Sequence, residues 1–312
     1  MLPLFAAAAC CLHAAPRSVS WWFECGNNAS IDAANVAALA KLKPSAVTRV
    51  MPDFDFVKGD KEGPVPFSGY GIMYGDISVW WDWADDVHAW LDPMRQALPH
   101  TKIVPWALDT TNATMMHEKV YPNASRFIAD AVAIADHYGF DGWHIDYEDE
   151  HPSDTYPKRS EDLQRFLKAF STALHSKGKE LVIDVASWSG LLSNFSSIAA
   201  SGVDQLQDMS FYRRPGSYPA DLESFFSAAR RANPSGWARQ AGVGIGVYYD
   251  GRHGYPREWN ATSARAFLGE VVRQGGEAID IFRLNRDGVN DWPKEDWWWP
   301  LIQEFADGGS FD

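Results

Sequence analysis

The residues best suited to chemistry form an alternating pattern near the middle of the sequence. His144, Asp146 and Glu148 are two residues apart, and the residues between them are apolar or aromatic. Successive side chains of a β-strand point to opposite faces, so the three ionisable groups share one face. Two close carboxylates do not both ionise cheaply, so one is expected to have a raised pKa and to donate a proton near neutral pH. Because Glu148 is nearest the carboxyl end of the strand, we predict that it is the acid and that Asp146 is its partner.

A metal site and a solvated loop are the alternative interpretations of this segment. An acidic strand end can bind a metal ion, but His144 is the only histidine of the predicted strand. The HxH or HxxxH spacing of barrel metallohydrolases is missing. A solvated loop suits Asp149 and Glu150, but it does not explain why His144 and Asp146 share a face. We therefore expect no metal and no other cofactor.

Eight short runs rich in β-branched residues are separated by amphipathic helical patterns along a single chain. Strand followed by helix, repeated in this way, favours the α/β class and a closed parallel barrel, the single (β/α)8 or TIM barrel. A doubly wound open sheet is the alternative, but residues 24–28 are not the Gly-rich loop that usually follows its first strand. The predicted strands are 19–24, 46–50, 103–108, 142–147, 181–186, 205–211, 243–248 and 279–284.

The helical patterns have recognisable ends. Ser30 is a candidate N-cap for a helix that runs to Lys43 and is stopped by Pro44. Gly139 and Gly178 each follow an amphipathic pattern and are expected to end it. Further helices are predicted at 222–233, 262–274 and 294–306. In a barrel, the carboxyl ends of the strands hold the catalytic groups, and ionisable residues inside the barrel are costly unless they are used or paired.

Size and charge restrict the class of protein and of partner. The chain has 312 residues, enough for one barrel domain of about 250 residues. Its net charge of −13 and pI of about 5.1 disfavour nucleic acid and anionic membrane surfaces. A neutral carbohydrate is compatible with this surface. The segment 51–84 resembles an elaborated loop of an active site, and Trp80, Trp81 and Trp83 within it are candidates for a sugar platform.

The N-terminal segment and the sequons favour the secretory pathway. Residues 1–15 are apolar and end in small residues, which is typical of a signal peptide; an apolar helix that stays attached is the alternative. Residues 16–312 would then form the barrel domain. Only Cys25 would remain, so no internal disulfide is expected, and we expect a secreted or lumenal monomer. Five Asn-x-Ser/Thr sequons support this localisation and predict a glycoprotein: Asn28, Asn112, Asn123, Asn194 and Asn260.

The same central segment resembles the signature of glycoside hydrolase family 18, which includes chitinases and di-N-acetylchitobiases. That signature is Asp-Gly-x-Asp-x-Asp-x-Glu, and three of its acids match Asp141, Asp146 and Glu148. His144 stands where the family has its middle Asp. The segment also resembles endo-β-N-acetylglucosaminidases of family 85, in which an Asn takes the place of Asp146. Weaker likeness to family 18 extends over residues 186–190 and 204–212.

This resemblance implies a substrate-assisted retaining mechanism, one of the exceptions to two-carboxylate glycoside hydrolysis. Glu148 would protonate the leaving oxygen and then activate water. Asp146 would orient the 2-acetamido group and stabilise its positive charge, and Asp141 would support it from deeper in the strand. His144 would form a hydrogen-bonded pair with Asp146 or lower its pKa.

The substrate-binding positions differ from the family pattern. Phe211 stands where family 18 has the tyrosine that holds the acetamido oxygen, and the adjacent Tyr212 replaces it only if the strand contains a bulge. Phe282 stands where the family has the tryptophan that forms the floor of the sugar pocket. Trp106 and Trp188, near predicted strand ends, are candidates for stacking on sugar rings. We predict that Tyr212, Trp188, Trp106 and Phe282 bind substrate.

Three functions are compatible with these residues. The first is a secreted hydrolase of glycans that contain N-acetylglucosamine, such as chitooligosaccharides or the N-glycan core, and it is favoured because Asp146 and Glu148 are both present. The second is a catalytically silent, lectin-like protein on the same barrel. The third is a hydrolase of another glycoside that combines Glu148 with a carboxylate from another strand, such as Asp184 or Asp109.

Overall fold

The computed structural model describes most of the chain. The described residues are 17–24, 29–53, 73–74, 77–78, 84–110, 113–148, 156–211, 218–247, 259–285, 288, 293 and 296–311. The predicted signal peptide, Tyr212 and the tryptophans at 80, 81 and 83 lie outside them.

A parallel sheet forms the centre of the molecule. Nine of the described strands belong to it, in the order β5-β2-β1-β11-β10-β9-β8-β7-β6. Two short strands, β3 and β4, form a separate antiparallel pair within the elaborated loop. The strands are β1 Ser18–Glu24, β2 Arg49–Asp53, β3 Met73–Tyr74, β4 Ile77–Ser78, β5 Lys102–Ile103, β6 Trp106–Thr110, β7 Gly142–Tyr147, β8 Glu180–Val185, β9 Gln205–Asp208, β10 Ala241–Gly246 and β11 Ala278–Leu284.

The two edge segments of this sheet are consecutive in the chain. Only Val104 and Pro105 separate β5, which pairs with β2, from β6, which pairs with β7. The Val104 amide donates to the Val50 carbonyl at 2.9 Å, and the His144 amide donates to the Pro105 carbonyl at 2.8 Å. The residues between the two segments therefore hydrogen-bond to β2 on one side and to β7 on the other.

Helices follow most strands and pack against one face of the sheet. The outward residues of β7 show this packing, because Trp143, Ile145 and Tyr147 are fully buried and the Trp143 indole donates to the Ala131 carbonyl in α4 at 2.8 Å. Each large apolar side chain buried in this way stabilises the fold by about 1.5–3 kcal/mol. The helices are α1 Ala29–Leu39, α2 Ala84–Ala97, α3 Ala113–Met115, α4 Ala124–Tyr138, α5 Arg159–His175, α6 Phe195–Ala199, α7 Tyr218–Ala232, α8 Trp237–Gln240, α9 Ala261–Arg273 and α10 Trp298–Ala306.

The opposite face of the sheet is lined by polar groups at its amino end. Arg49 on β2 is buried and its Nε lies 2.5 Å from Oε1 of Glu180 on β8. Arg49 also donates to Ser20 at 2.9 Å and to Gln205. A Cβ atom at Gly142 would collide with the carbonyl oxygen of Glu180, so only glycine fits at the start of β7. This network fixes the register of the strands that present the central motif.

The predicted parallel α/β fold is confirmed, with shifts at several element ends. The segment predicted as strand 46–50 is strand at 49–53, because Pro44 starts a 3₁₀ turn over Pro44–Ala46. For the same reason, α1 ends at Leu39 and not at 43. The predicted strand 205–211 ends at Asp208, and Met209–Phe211 form a 3₁₀ turn.

The last predicted helix, at 294–306, begins at Trp298. Gly139 ends α4 in the left-handed conformation, as predicted, with φ of 67°. Gly178 has φ of 69°, but α5 ends earlier, at His175. Among the described residues, no helix combines the length and apolar character needed to span a membrane.

Candidate active site

The alternating residues of β7 divide between the two faces of the sheet as predicted. His144 lies on the inner face and is fully buried, whereas Trp143 and Ile145 pack outward against the helices. Asp146 and Glu148 are half-buried, and Glu148 directly follows the last residue of β7. The histidine is therefore enclosed, whereas the two acids nearer the carboxyl end of the strand are partly exposed.

Asp184 on β8 joins this group from the neighbouring strand. The parallel register pairs His144 with Val182 and Ile145 with Ile183, so Asp146 and Asp184 are the next facing positions. Asp146 is close enough to raise the pKa of Asp184, although neither Asp184 oxygen has a hydrogen-bond partner among the described residues. The Nε2 atom of His144 lies 3.0 Å from Oδ2 of Asp184, although this contact lacks hydrogen-bond geometry. Asp184 therefore interacts with both inward-facing residues of β7.

Burial and the neighbouring charges favour the neutral form of both buried members of this contact. Burial, followed by the negative charges of Asp146 and Glu148, raises the pKa of Asp184 well above its ordinary value of 3.8. Burial, followed by the positive charge of Arg49, holds the pKa of His144 well below 6.5. The raised pKa that the sequence predicted for Asp146 or Glu148 thus occurs on Asp184. His144, which was predicted to pair with Asp146, lies within 4 Å of the Asp184 carboxyl group.

Asp141 has a structural contact at the other end of β7. It precedes the first strand residue, and its Oδ2 accepts a hydrogen bond from the Ile103 amide at 2.9 Å. At roughly 3.3 Å per residue, about 16 Å of strand separates it from Asp146. Its carboxylate therefore aligns β7 with β5. The supporting role for Asp146 that the family resemblance implies stays a prediction.

Two of the predicted sugar-binding aromatics lie in a small apolar cluster on the inner face. Trp106 is 8% exposed, and its ring centroid lies 6.0 Å from that of His144. Its indole N–H has no hydrogen-bond partner among the described residues. Trp22 lies between Trp106 and Phe282, with ring centroids 5.0 and 5.2 Å away. Trp106 and Phe282 therefore line the interior next to the acidic group, and Trp106 offers a free donor there.

The other predicted aromatics lie elsewhere. Trp188 follows β8 in a turn and is 53% exposed, the single large apolar side chain so exposed in the described part of the chain. Phe211 is buried against Phe267 of α9, with ring centroids 5.7 Å apart, so it belongs to the outer core. Tyr212 follows directly and lies outside the described residues. Trp188 alone of this set presents an exposed surface beside the end of β8.

Several inner-face groups were not predicted. Trp22 donates its indole N–H to Gln207 at 2.8 Å and contacts His144 edge-on at 4.6 Å between ring centroids. Asp280 on β11 is fully buried, and burial raises its pKa to about 7 although the charge of Arg49 lowers it. The alternation of β1 and β11 places these residues on an inner face, but the sequence does not show which strands meet across it.

Two other kinds of site, a cavity and a metal centre, are the alternatives away from the motif. A cavity of about 710 Å³ lies on the outside, between α1 and Trp299, and touches none of the acids described above. Within the described ranges, no cluster of three or more His, Cys, Asp or Glu residues is arranged to hold a metal ion. The acid group of β7 and β8 is therefore the candidate site.

A family model matches this part of the chain. Residues 100–189 match Glycosyl hydrolase family 85. The matched segment runs from before β5 to after β8, so it includes Trp106, Asp146, Glu148, Asp184 and Trp188. No curated protein matches the sequence.

Solved structures share the fold. The C-terminal domain of a putative chitinase from Desulfitobacterium hafniense superposes with a TM-score of 0.64 at 15% identity, over 93% of this chain and 99% of that one. A chitinase from Chromobacterium violaceum gives 0.61 at 16% identity, over 93% and 98%. The Group IV chitinase of Ostrinia furnacalis gives 0.62 at 12% identity, over 95% and 100%.

The matched segment and the shared fold together support a divergent glycoside hydrolase. The likeness to family 85 stated from the central motif is confirmed by the family model over residues 100–189, and the chain shares its fold with solved chitinases. The segment that matches the family model contains the half-buried acids Asp146 and Glu148 and the buried acid Asp184.

Proposed function

We propose that this glycoside hydrolase cleaves glycans that contain N-acetylglucosamine, either chitooligosaccharides or the N-glycan core, by a substrate-assisted retaining mechanism. The observation that carries the proposal is the arrangement of Asp146 and Glu148 at the carboxyl end of β7, with Asp184 of β8 at the position that faces Asp146. The names of the three similar structures described above, two chitinases and one putative chitinase, support the substrate class.

Each acid has one task in this mechanism. Glu148 donates its proton to the glycosidic oxygen while the 2-acetamido oxygen of the sugar bonds to the anomeric carbon, so that the glycosidic bond breaks and an oxazolinium ion forms. Glu148 then takes a proton from the water that opens this ring. Asp146 orients the acetamido nitrogen and stabilises its positive charge. Asp141 aligns β7, and its supporting role for Asp146 stays a prediction.

We further propose that the sheet closes into a single eight-stranded barrel. The hydrogen bonds of residues 102–110 to β2 and to β7 support closure, because β5 and β6 then act as two halves of one strand. The remaining seven strands complete the ring, and the mouth is formed by their carboxyl ends. Glu148 and Trp188 follow two adjacent strands at that mouth.

Secretion as a glycosylated monomer is part of the proposal, and a signal peptide at 1–15 would direct it. Support comes from two exposed sequon residues, Asn194 and Asn260, whose side chains accept hydrogen bonds from Ser197 and Ser263 as helix N-caps. The capping atom is Oδ1, whereas a glycan is attached to Nδ2, so capping and glycosylation do not exclude each other.

The test is release of 4-methylumbelliferone from its chitobioside and chitotrioside by the wild type and by Glu148→Gln. We expect wild-type turnover and a loss of about a hundredfold or more in the variant, the size expected for a missing general acid. Glu161→Gln, at an exposed position on α5, is the matched control and should keep full activity. Equal turnover by the wild type and Glu148→Gln would contradict the assignment.

Two alternatives have their own signatures in this assay. Turnover of 4-methylumbelliferyl cellobioside at a rate similar to that of the chitobioside would show that the 2-acetamido group is dispensable. It would favour a hydrolase that combines Glu148 with another carboxylate such as Asp184 or Asp109. The exposed Trp188 favours the lectin-like alternative. Binding of chitooligosaccharides without turnover, equal in the wild type and Glu148→Gln, would establish it.

A further inference from the structure

The central motif has a histidine at the position that precedes Asp146 on the inner face, so β7 supplies no second acid below Asp146. The next strand does supply one. Asp184 faces Asp146 in the parallel register of β7 and β8, and it is the residue within 3.0 Å of His144. His144 and Asp184 are both fully buried.

The surroundings of Asp184 do not support an ionised carboxylate. Neither of its oxygens accepts a hydrogen bond from any described residue. A buried anion without donors costs several kcal/mol in a protein interior. A protonated Asp184 avoids this cost and gains a donor, and the carboxylate of Asp146, at the facing position of β7, is the acceptor nearest to it along the register.

The charged groups that face Asp146 and Asp184 also oppose ionisation of Asp184. Asp146 and Glu148 on β7 and Asp280 on β11 are the negative groups that oppose ionisation of Asp184. On β9, the facing position is the neutral Gln207. Arg49 on β2 is a buried cation of this face, and it is engaged by Glu180. The lowered pKa of His144 favours its neutral form, and no cation of the described residues is among the groups that act on Asp184.

We propose that Asp184 is a positioning residue that shares one proton with Asp146 and holds the Asp146 carboxylate in the orientation needed for the acetamido group. The proton remains between the two carboxyl groups, so Asp146 stays the anion that balances the oxazolinium charge. β8 thus supplies the acid that β7 lacks at position 144. This inference rests on the proposed function for the role of Asp146, but the shared proton itself does not depend on catalysis.

The experiment compares Asp184→Asn with Asp184→Ala. The Asn amide still donates to Asp146 but cannot ionise, whereas Ala removes the donor. We expect kcat to fall about a hundredfold in Asp184→Ala, the size of effect that a misplaced catalytic group produces. Asp184→Asn should keep at least ten times more of the wild-type kcat than Asp184→Ala. KM should change less in both, because Asp184 is not exposed to substrate.

The pH profiles provide a readout that a purely structural role would not change. The kcat of the wild type should fall at alkaline pH as Asp184 ionises. This alkaline limb of the pH profile of kcat should move to higher pH or vanish in Asp184→Asn. Asp208→Asn is the matched control, since Asp208 is equally buried, has a pKa raised to about 7 by burial and pairs with the outward Val185. It should leave the alkaline limb of kcat unchanged.

Thermal unfolding tests the proton without any turnover. The folded-state pKa of Asp184 lies above its ordinary value of 3.8, so the folded protein binds a proton that the unfolded chain releases. Wild-type stability should therefore fall, relative to Asp184→Asn, as pH rises above about 4 toward the folded-state pKa. A constant difference in Tm across this range would overturn the shared proton.

The outcomes separate the two proposals. If no glycan is hydrolysed but the Tm difference grows with pH, the proposed function fails and the shared proton stands. If turnover occurs and Asp184→Asn loses as much kcat as Asp184→Ala, the positioning role is overturned. Loss of the alkaline limb in Asp208→Asn would also overturn it, because any buried acid would then have the same effect.

Discussion

The Nε2 atom of His144 lies 3.0 Å from Oδ2 of Asp184, and neither side chain is exposed to solvent. Such a pair would be an ion pair in water-like surroundings, but here the pKa of the histidine is lowered and that of the acid is raised, chiefly by burial. Burial therefore favours the neutral form of both groups. Their opposite shifts give opposite pH dependences, which stability measurements can separate.

Replacement of His144 by Gln should remove an acid sensitivity of the fold. The folded-state pKa of His144 is below 6.5, so the unfolded chain binds a proton that the folded protein does not. Wild-type stability should fall, relative to His144→Gln, by up to about 1.4 kcal/mol for each pH unit below about 6.5. Chemical denaturation at several pH values measures this difference. A difference that is independent of pH would show that His144 titrates normally.

Removal of the Glu180 carboxylate should destabilise the molecule strongly. Glu180→Gln leaves Arg49 buried without its ion-pair partner, and a loss of about 3–5 kcal/mol is expected. Lys102 also contacts Glu180, at 2.5 Å, but its side chain is 56% exposed. Lys102→Met should therefore cost less than about 1 kcal/mol. Equal losses in the two variants, measured by urea unfolding, would contradict a dominant role for Arg49.

Trp188 should contribute to binding and not to folding. It is 53% exposed, so Trp188→Ala should change the free energy of unfolding by less than about 0.5 kcal/mol. Loss of an aromatic face that stacks on a sugar ring should weaken binding of chitooligosaccharides about tenfold. Titration calorimetry on Glu148→Gln, with and without the Trp188 change, measures this effect. Unchanged affinity would remove Trp188 from the binding surface.

Trp106→Phe keeps an aromatic ring on the inner face but removes an indole N–H that has no partner among the described residues. A buried unsatisfied donor costs about 1–3 kcal/mol, so the variant should be at least as stable as the wild type. If this N–H binds substrate, KM should rise about tenfold while stability is maintained. A rise in stability with unchanged KM would assign the N–H no role in binding.

Glycosylation should be selective among the described sequons. Asn194 and Asn260 use Oδ1 for capping, whereas Asn123 donates its Nδ2 hydrogen to the Lys119 carbonyl at 2.7 Å. Because a glycan is attached to Nδ2, we expect occupancy at Asn194 and Asn260 to exceed that at Asn123 in a protein secreted from eukaryotic cells. Mass spectrometry of tryptic peptides measures the occupancy. Higher occupancy at Asn123 would show that this hydrogen bond does not protect it.

The sequence by itself determined the parts of the site that depend on local periodicity. The two-residue alternation of His144, Asp146 and Glu148 sufficed to place the first of these on the inner face, and Gly139 marked the end of α4 through its left-handed conformation. Both follow from the geometry of one strand or one helix end, so no information about distant residues was needed.

Only the tertiary structure decided which groups meet across strands. Asp184 and Trp22 contact His144 from two other strands, and Asp280 acts electrostatically on Asp184 from a third. These relationships depend on the register and curl of the whole sheet. Burial likewise decided that Asp184 has the raised pKa, and that Phe211 belongs to the outer core. Register and burial are sums over the whole fold, and the pattern of a single segment does not contain them.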